Sequence, residues 1–433
     1  MKNLLDKYFK ISESGSKIRT ETFAGLTTFM TMSYIIFVNP SIMEQSGMPV
    51  QAVMVATCLA SAISTLIMGV LANYPIGLAP SMGINAFFTF GLVLGMGFTW
   101  QVAMASVFIE GVAFIIITLT GVRDKLLDCI PYSMKIGIPA GIGLFIMFIG
   151  MQSCGFVTND NNTLVTLGDM KSHQVLLGLA GLILMTVLHI YRVRGAILIG
   201  ILAVTVASIV LGYTPLPEKI VDMPPSIGPI FMKMDFSAIF NIDFIIITLV
   251  LLFMDIFNTI GTLIGVAARA NLLEKDGTIK RARGAFMADA VGTTAGAMMG
   301  VTTVTAYVES ATGVEAGGRT GLTAVVIAIL FLLATFFSPL VTVIPAYATA
   351  PALIFVGLLM LSIVKEIDTS DWTEFLPAMV AMTVMPFTYN IATGIEFAVI
   401  SYVLIKLFTG RIKDVSMVMA ILAVLFVVKE IFV

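Results

Sequence analysis

The chain alternates between long apolar runs and short polar connections. A bilayer core of about 30 Å needs roughly 20 apolar residues as helix, so this pattern predicts an all-α polytopic membrane protein. Eleven runs predict spans directly, and they cover residues 24–39, 51–72, 101–119, 136–153, 174–190, 195–212, 243–267, 284–300, 321–338, 351–364 and 391–408.

Two further segments have a different composition. Residues 78–97 and 302–318 are rich in Gly, Pro, Thr and other polar residues, yet each lies between two good spans. Short, interrupted segments at matching places in two inverted halves point to a transporter binding site near the middle of the membrane. We therefore expect a ligand site where these two broken segments meet.

The spans divide into two halves. The broken segments stand third in each half, and the run at 375–388 completes two units of seven. Because seven is odd, the second unit enters the membrane from the opposite side. We predict fourteen transmembrane segments in two inverted repeats, joined by the proline-rich linker 213–240. The apolar segment 415–432 has no predicted place.

Charge narrows the function and sets the orientation. Only 12% of residues are charged and 58% are hydrophobic, and 24 Lys+Arg against 26 Asp+Glu leave no basic surplus for nucleic acid. Basic residues mark cytoplasmic loops, which predicts a multi-pass protein of the cell membrane with a cytoplasmic N-terminus. The loops on that side carry Lys17, Arg19, Arg123, Lys125, Arg192, Arg194, Arg269, Lys275, Lys280, Arg281 and Arg283.

Metal and disulfide chemistry is not expected. Cys58, Cys129 and Cys154 lie far apart without a CxxC pair, and His173 and His189 stand away from them. The chain also has no Ser-His pair, HExxH or paired-aspartate protease motif. The sequence therefore predicts a protein that is not an enzyme and that holds neither a metal nor a cofactor.

Acidic residues inside the apolar runs are the strongest functional signal. Asp255, Asp289 and Glu309 fall in three successive spans, Glu110 lies in the fourth, and Asn85 occupies the first broken segment. Such residues are costly in a membrane unless they face a cavity or a partner. A helix–helix hydrogen bond is the alternative role. Burial disfavours the charged form, so acids without basic neighbours suggest proton or cation coupling.

The polar groups together suggest a flat ligand. Asp255, Asn258 and Thr259 share one helical face and can line a cavity wall. Broken helices expose backbone donors and acceptors, which are tolerated only beside protein or a pocket. Phe87 or Phe88 could stack on a ring, with core packing as the alternative. These parts describe a slot for a planar, neutral molecule with polar edges, such as a nucleobase.

Several long motifs resemble a known family. They are GLTTFMTMSYIIFVNP from Gly25, GLAPSMGINAFF from Gly77, DIFNTIGTLIG from Asp255, ADAVGTTAGA from Ala288 and TAYVESATGVEAGGRTGLTA from Thr305. They are similar to the purine permeases of the nucleobase–cation symporter-2 family, in the AzgA-like branch that carries adenine, guanine and hypoxanthine. The likeness covers nearly the whole chain.

The resemblance implies the fold of the uracil and xanthine permeases, with two domains. A core domain would hold spans 1–4 and 8–11, and a gate domain would hold spans 5–7 and 12–14. Short strands would precede half-helices in spans 3 and 10. The expected boundaries are 1–130 and 241–345 for the core, 131–212 and 346–433 for the gate, and 213–240 for the linker.

The resemblance also implies residue roles. Asp255 and Glu309 would bind the base, Asp289 would be needed for transport, Asn85 would lie near the pocket, and Thr259 would stand at a proton-coupling position. Branch members often read DIFDT where this chain reads DIFNT, so an amide replaces a second acid. The expected substrate-binding residues are Asp255, Glu309, Asn85, Ala86, Phe87, Asn258 and Ser310. The expected proton-coupling residues are Asp289, Asp255, Glu309 and Thr259.

The expected function is proton-coupled purine uptake by alternating access, in a homodimer formed through the gate domain. Hypoxanthine and guanine are favoured, and adenine remains open. The principal alternative is an anion transporter or channel of the sulfate-permease type on the same inverted-repeat fold. That alternative calls for positive charge or bare helix N-termini at the site, where this chain has three acids.

Overall fold

The computed structural model describes residues 2–120, 131–269 and 281–432. The loop residues Arg123, Lys125, Cys129, Lys275 and Lys280 lie outside this part of the chain. Statements about the fold and the site refer to the described residues.

Helices occupy the apolar runs of the first half. Two of them continue as π-helix, over Met68–Ala72 and Phe87–Gly95. The helices are α1 Lys2–Phe9, α2 Ile18–Met32, α3 Ile35–Glu44, α4 Val50–Ile67, α5 Met82–Ala86, α6 Trp100–Thr120, α7 Tyr132–Ser153, α8 His173–Ile190 and α9 Ala196–Val210.

The second half follows the same pattern after a helix-free stretch. The proline-containing run at 375–388 is helical throughout. The helices are α10 Ile242–Arg269, α11 Ala282–Met299, α12 Ser310–Glu315, α13 Gly321–Ala334, α14 Ser338–Val341, α15 Ala346–Leu361, α16 Trp372–Thr388, α17 Ile391–Phe408 and α18 Met417–Phe432. Short 3-10 turns cover Thr335–Phe337, Ser362–Glu366 and Ile412–Asp414.

Helix ends are fixed by side chains that suit them. Asn390 and Asp371 begin α17 and α16, where their side-chain oxygens accept the backbone N–H groups of Ala392 and Thr373 at 2.9 Å each. Gly300 ends α11 with φ +83°, a left-handed conformation that glycine adopts without strain. Local sequence therefore sets several of the predicted boundaries.

The two broken segments form a small buried sheet. Strand β1 (Leu78–Pro80) pairs antiparallel with β4 (Val304–Ala306), and each strand leads into a short helix, α5 or α12. This arrangement agrees with the short strands and half-helices expected in spans 3 and 10. A second pair, β2 (Val157–Asp160) and β3 (Leu164–Leu167), forms an exposed hairpin that the sequence analysis did not predict.

A threonine holds the first residue of each buried strand in the same way. The hydroxyl of Thr65 on α4 accepts the N–H of Leu78 at 2.8 Å and donates to its carbonyl at 3.1 Å. The hydroxyl of Thr293 on α11 does the same for Val304, at 3.1 and 3.2 Å. Strand backbone groups that the small sheet leaves unpaired are thereby satisfied by protein.

The helices pack in two groups. Helices α2, α4 and α6 pack with α11 and α13, whereas α7, α8 and α9 pack with α15, and α7 also packs with α16. Small residues allow close approach, as at Gly137 of α7, where an added methyl would lie 2.7 Å from the Cα of Ala378. The unplaced segment 415–432 forms α18, which packs on α17.

The outer surface suits a bilayer. Eight helical segments within the described ranges are long and apolar enough to cross a membrane. Large apolar side chains are exposed along the bundle, for example Leu71, Ile116, Val206 and Leu333. The chain is a mostly helical, multi-pass membrane protein.

The connection at 213–240 contains neither helix nor strand and crosses one end of the first helix group. The backbone N–H groups of Met232 and Asp235 donate to the carbonyls of Met298 and Gln101, at 2.8 and 3.1 Å. Ile230 is fully buried there. The predicted proline-rich linker therefore lies against the ends of α6 and α11.

Candidate functional site

Asn258 joins the two broken segments. Its side-chain N–H groups on α10 donate to the hydroxyl of Ser81, which follows β1, at 3.0 Å, and to that of Thr305 in β4, at 3.2 Å. Thr305 stands opposite Ala79 in the strand pair. One amide therefore bridges both segments at the point where the sequence predicted a ligand site.

A cavity extends from this amide. Its walls come from α5, α7, α10, α15, α17 and α18, and they are apolar except for Ser81, Lys135 and Asn258. Helix α10 packs on α6 of the first helix group, and α17 packs on α16 and α7 of the second. Because α7 and α15 also belong to the second group, the cavity lies at the border of the two groups. We call the part of the lining formed by Ser81 and Asn258 the polar end of the cavity, because a ligand can form hydrogen bonds there.

An acid cluster lies where α6, α10 and α11 meet. We use this name for Glu110 of α6, Asp255 of α10 and Asp289 of α11, whose side chains are all fully buried. The Thr259 hydroxyl lies 2.6 Å from Asp289 Oδ2 and 3.5 Å from Asp255 Oδ1. The acids expected in spans 8 and 9 therefore meet.

The expectation that Asp255, Asn258 and Thr259 line one cavity wall is wrong for two of the three. Asn258 lines the cavity, whereas Asp255 and Thr259 are fully buried among the helices. Positions three residues apart on a helix differ by about 60° in direction, which here separates the cavity side from the bundle interior.

Several carboxyl oxygens of the acid cluster have no hydrogen-bond donor. Glu110 Oε1, Asp255 Oδ2 and Asp289 Oδ1 are buried without a hydrogen-bond partner. The Asp255 carboxyl lies within hydrogen-bonding range of the carboxyls of both Glu110 and Asp289. No ion pair between described residues includes any of the three. The sequence identified Glu110 as a buried acid but could not show which helix it would face.

Glu309 and Ser310 stand where β4 passes into α12. Glu309 is half-buried, and its Oε1 accepts the Tyr34 hydroxyl at 2.8 Å. The Ser310 hydroxyl accepts the backbone N–H of Gly77 at 3.0 Å. Neither residue lines the cavity. Tyr34 was missed, because a tyrosine in an apolar run gives no sign of its partner.

Asn85, Ala86 and Phe87 are buried and do not line the cavity. The Asn85 amide donates to Asn39 Oδ1 at 2.6 Å and accepts the hydroxyl of Thr302. The ring of Phe87 packs against Gly91 and is fully buried, as is that of Phe88. For both rings, core packing is the role that the geometry supports.

An ion-pair cluster occupies the second helix group. Lys406 of α17 is buried, and its ammonium lies 2.7 Å from Glu374 Oε1 and 3.6 Å from Asp414 Oδ2. Ser133 donates to Glu374 at 2.5 Å, and the ammonium stands 5.4 Å from the centre of the Tyr402 ring. Here one basic group faces two acids.

Metal-binding geometry is not found in the described part of the chain. No group of three His, Cys, Asp or Glu residues there is spaced to hold a metal ion. Cys58 and Cys154 are buried free thiols.

Comparisons with known proteins identify the family. A model of the Permease family matches residues 19–397. Permease MJ0326 of Methanocaldococcus jannaschii is 49% identical over 99% of this chain and 98% of its own length. Adenine permease AdeP of Escherichia coli is 41% identical, over 99% and 96%. Guanine/hypoxanthine permease PbuG of Bacillus subtilis is 43% identical, over 98% and 99%.

A solved structure shows the fold. The transmembrane domain of the cyanobacterial bicarbonate transporter BicA superposes with a TM-score of 0.67 at 16% identity, covering 89% of this chain and 97% of that domain. The resemblance drawn from the motifs is confirmed by the family model and the relatives. This chain belongs to the permease family and is a membrane transporter rather than an enzyme.

Proposed function

We propose that this permease takes up a purine nucleobase and is driven by protons. The observation that carries the proposal is the Asn258 amide, which joins both broken segments at the polar end of the cavity. The names of AdeP and PbuG, relatives over the whole chain, support the same substrate class.

The polar end of the cavity suits the edge of a purine. Both N–H groups of Asn258 donate to protein hydroxyls, so its carbonyl oxygen is the atom offered to an N–H of the base. Hypoxanthine, guanine and adenine all have such a group. We keep hypoxanthine and guanine as the favoured substrates, with adenine open. Glu309 and Asp255 remain proposed ligands that would approach the base in another state of the carrier.

The fold proposal is fourteen spans in two inverted repeats. The matching hydrogen bonds of Thr65 with Leu78 and of Thr293 with Val304 support it, because they join equivalent helices and strands of the two halves. We assign residues 1–130 and 241–345 to a core domain and residues 131–212 and 346–433 to a gate domain. The two groups of packed helices support this division.

The transport proposal is alternating access, in which the core domain moves against the gate domain. The cavity lies between helices of the two domains, so their relative movement would open it to one side and then to the other. Asp255, Asp289, Thr259 and Glu309 are the proposed coupling residues. A homodimer through the gate domain, a cell-membrane location and a cytoplasmic N-terminus remain predictions.

Uptake by cells that lack their own purine permeases tests this function. Radiolabelled hypoxanthine, guanine, adenine, xanthine and uracil are supplied with and without a protonophore. We expect purine accumulation that the protonophore abolishes. Failure to carry any purine would overturn the substrate class, and uptake indifferent to the protonophore would overturn proton coupling.

The site is tested by a matched pair of variants. Asn258→Leu removes the amide with little change of volume and should lower purine uptake at least about tenfold, because it leaves polar groups at the site without their partner. Leu249→Ile changes the apolar wall of the same cavity and should leave uptake within about twofold. Equal effects of the two variants would show that the amide is not the recognition group.

The anion-transporter alternative has the fold in its favour, through the likeness to BicA. The acid cluster opposes it, because buried carboxylates repel an anion. Bicarbonate and sulfate are therefore included in the uptake panel, and transport of either without competition by purines would establish the alternative.

A further inference from the structure

Two carboxyl groups of the acid cluster face each other without a donor between them. Glu110 Oε1 and Asp255 Oδ2 are buried and lack a hydrogen-bond partner, although the two side chains lie within hydrogen-bonding range of each other. An ionised carboxylate only accepts hydrogen bonds. Two ionised carboxylates this close repel each other, and one shared proton removes that repulsion.

Among the residues that the structure describes, no basic group faces this pair. Helix α6, which carries Glu110, packs against α10, α11 and the π-helical segment Phe87–Gly95. The groups facing it are Asp255 from α10 and Asp289 from α11, and the π-helical segment has no titratable residue. Arg283 of α11 is engaged at the C-terminal end of α6, where it donates to the Leu119 carbonyl at 3.3 Å. A metal ion is not supported either, since the described acids are not spaced to hold one.

A short path connects this pair with the polar end of the cavity. The Thr303 hydroxyl donates to Glu110 Oε2 at 2.8 Å. The Thr303 carbonyl accepts the backbone N–H of Ser81 at 2.9 Å, and the Ser81 hydroxyl accepts from Asn258. Glu110 is thus three hydrogen bonds away from the amide proposed to contact the base.

We propose that Glu110 and Asp255 share one proton in a carboxylic acid–carboxylate hydrogen bond, and that Glu110 acts as a positioning residue that couples this proton to Ser81 and Asn258 through Thr303. The inference rests on the proposed proton-driven uptake and adds a residue and a path to it. Loading places a proton on one carboxyl oxygen as an O–H that donates to the other carboxylate. Unloading returns that proton to water and leaves two adjacent negative charges, which push Glu110 and its Thr303 partner apart from Asp255.

The test uses Glu110→Gln in the full-length protein reconstituted in liposomes. The amide keeps the size of the side chain and donates permanently to Asp255, as a protonated carboxyl does. Two activities are compared, namely uphill hypoxanthine accumulation driven by a proton gradient and hypoxanthine exchange without a gradient. We expect accumulation to fall at least about tenfold while exchange stays within about threefold and no longer varies from about pH 5 to pH 8.

Other outcomes overturn the proposal. Accumulation with the wild-type pH profile would show that Glu110 carries no coupled proton, and a parallel loss of accumulation and exchange would show a merely structural role. Thr303→Val should also lower accumulation more than exchange. Thr118→Val is the matched control, because this buried threonine on α6 has a hydroxyl without a partner, and it should behave as wild type. Accumulation that depends on sodium at constant pH would show that the coupling ion is sodium instead of the proton, and would overturn the proposal.

A spectroscopic measurement separates this inference from the transport proposal. Infrared difference spectra between acid and alkaline buffer should show the C=O stretch of a protonated carboxyl in wild type, reduced in Glu110→Gln and unchanged in Thr118→Val. If the protein carries no purine but this band behaves as expected, the proposed function fails while the shared proton stands. If purines are carried but the band is unaffected by Glu110→Gln, the shared proton fails alone.

Discussion

The acid cluster and the ion-pair cluster both contain buried ionisable side chains, but the neighbours of these side chains differ. In the first, Glu110, Asp255 and Asp289 meet without a basic partner. In the second, buried Lys406 stands between Glu374 and Asp414. A buried charge that has its partner fixes a structure, whereas burial without a partner favours the protonated, neutral form of an acid. The two clusters therefore should respond in opposite ways to the removal of a charge.

The ion-pair cluster should show the larger loss of stability. Lys406→Met leaves the half-buried Glu374 without its cation. Because this carboxylate is partly exposed, we expect a loss of about 1–3 kcal/mol, below the cost of breaking a fully buried pair. Thermal unfolding of the detergent-solubilised protein should begin several degrees below wild type. The double variant with Glu374→Gln should recover much of the loss, because it removes the orphaned charge as well. An unchanged melting temperature for Lys406→Met would mean that this cluster does not hold the helices together.

The acid cluster should respond in function instead. Asp255→Asn removes one of three neighbouring acids, so we expect a melting temperature equal to or above that of wild type. Uptake should fall at least about tenfold, because an amide cannot take up and release the coupled proton. Parallel measurement of unfolding and uptake checks both parts. A variant that melts well below wild type would show that Asp255, like Lys406, mainly supports the fold.

The sequence predicted the acids but not their partners. Apolar run lengths located the spans, and the Gly, Pro and Thr content of 78–97 and 302–318 marked the two broken segments, because these are properties of single segments. Whether Asp255 or Asn258 faces the cavity depends on a rotation of about 60° about α10, which is set by packing. The meeting of Glu110 with Asp255 and the bond from Tyr34 to Glu309 join distant positions that no local pattern records.

The position of the last helix shows the same limit. The sequence shows that the segment 415–432 is apolar but does not predict where it packs, because its length fits either a span or a packed surface helix. In the structure α18 packs on α17 and contributes Met419, Leu422, Leu425 and Phe426 to the cavity wall. The hairpin of β2 and β3 escaped prediction because its residues are exposed and carry no apolar alternation strong enough to stand out.

A third charged contact sharpens the comparison, because it has a matched partner but is exposed. Asp371 lies at the start of α16, 2.8 Å from Arg411, with side chains 35% and 51% exposed. The hydroxyl and backbone N–H of Thr373, followed by Arg411, lower the pKa of Asp371. A lowered pKa means that the ionised group contributes its stability above its ordinary pKa and loses it as the pH falls through the folded value, so the contribution is complete at pH 7.

Exposed pairs contribute little, and asparagine caps a helix as well as aspartate. The Asp371→Asn variant should therefore have the same melting temperature as the wild type at pH 7. If it melted as low as Lys406→Met, the presence of a partner, and not burial, would decide the strength of these charged contacts.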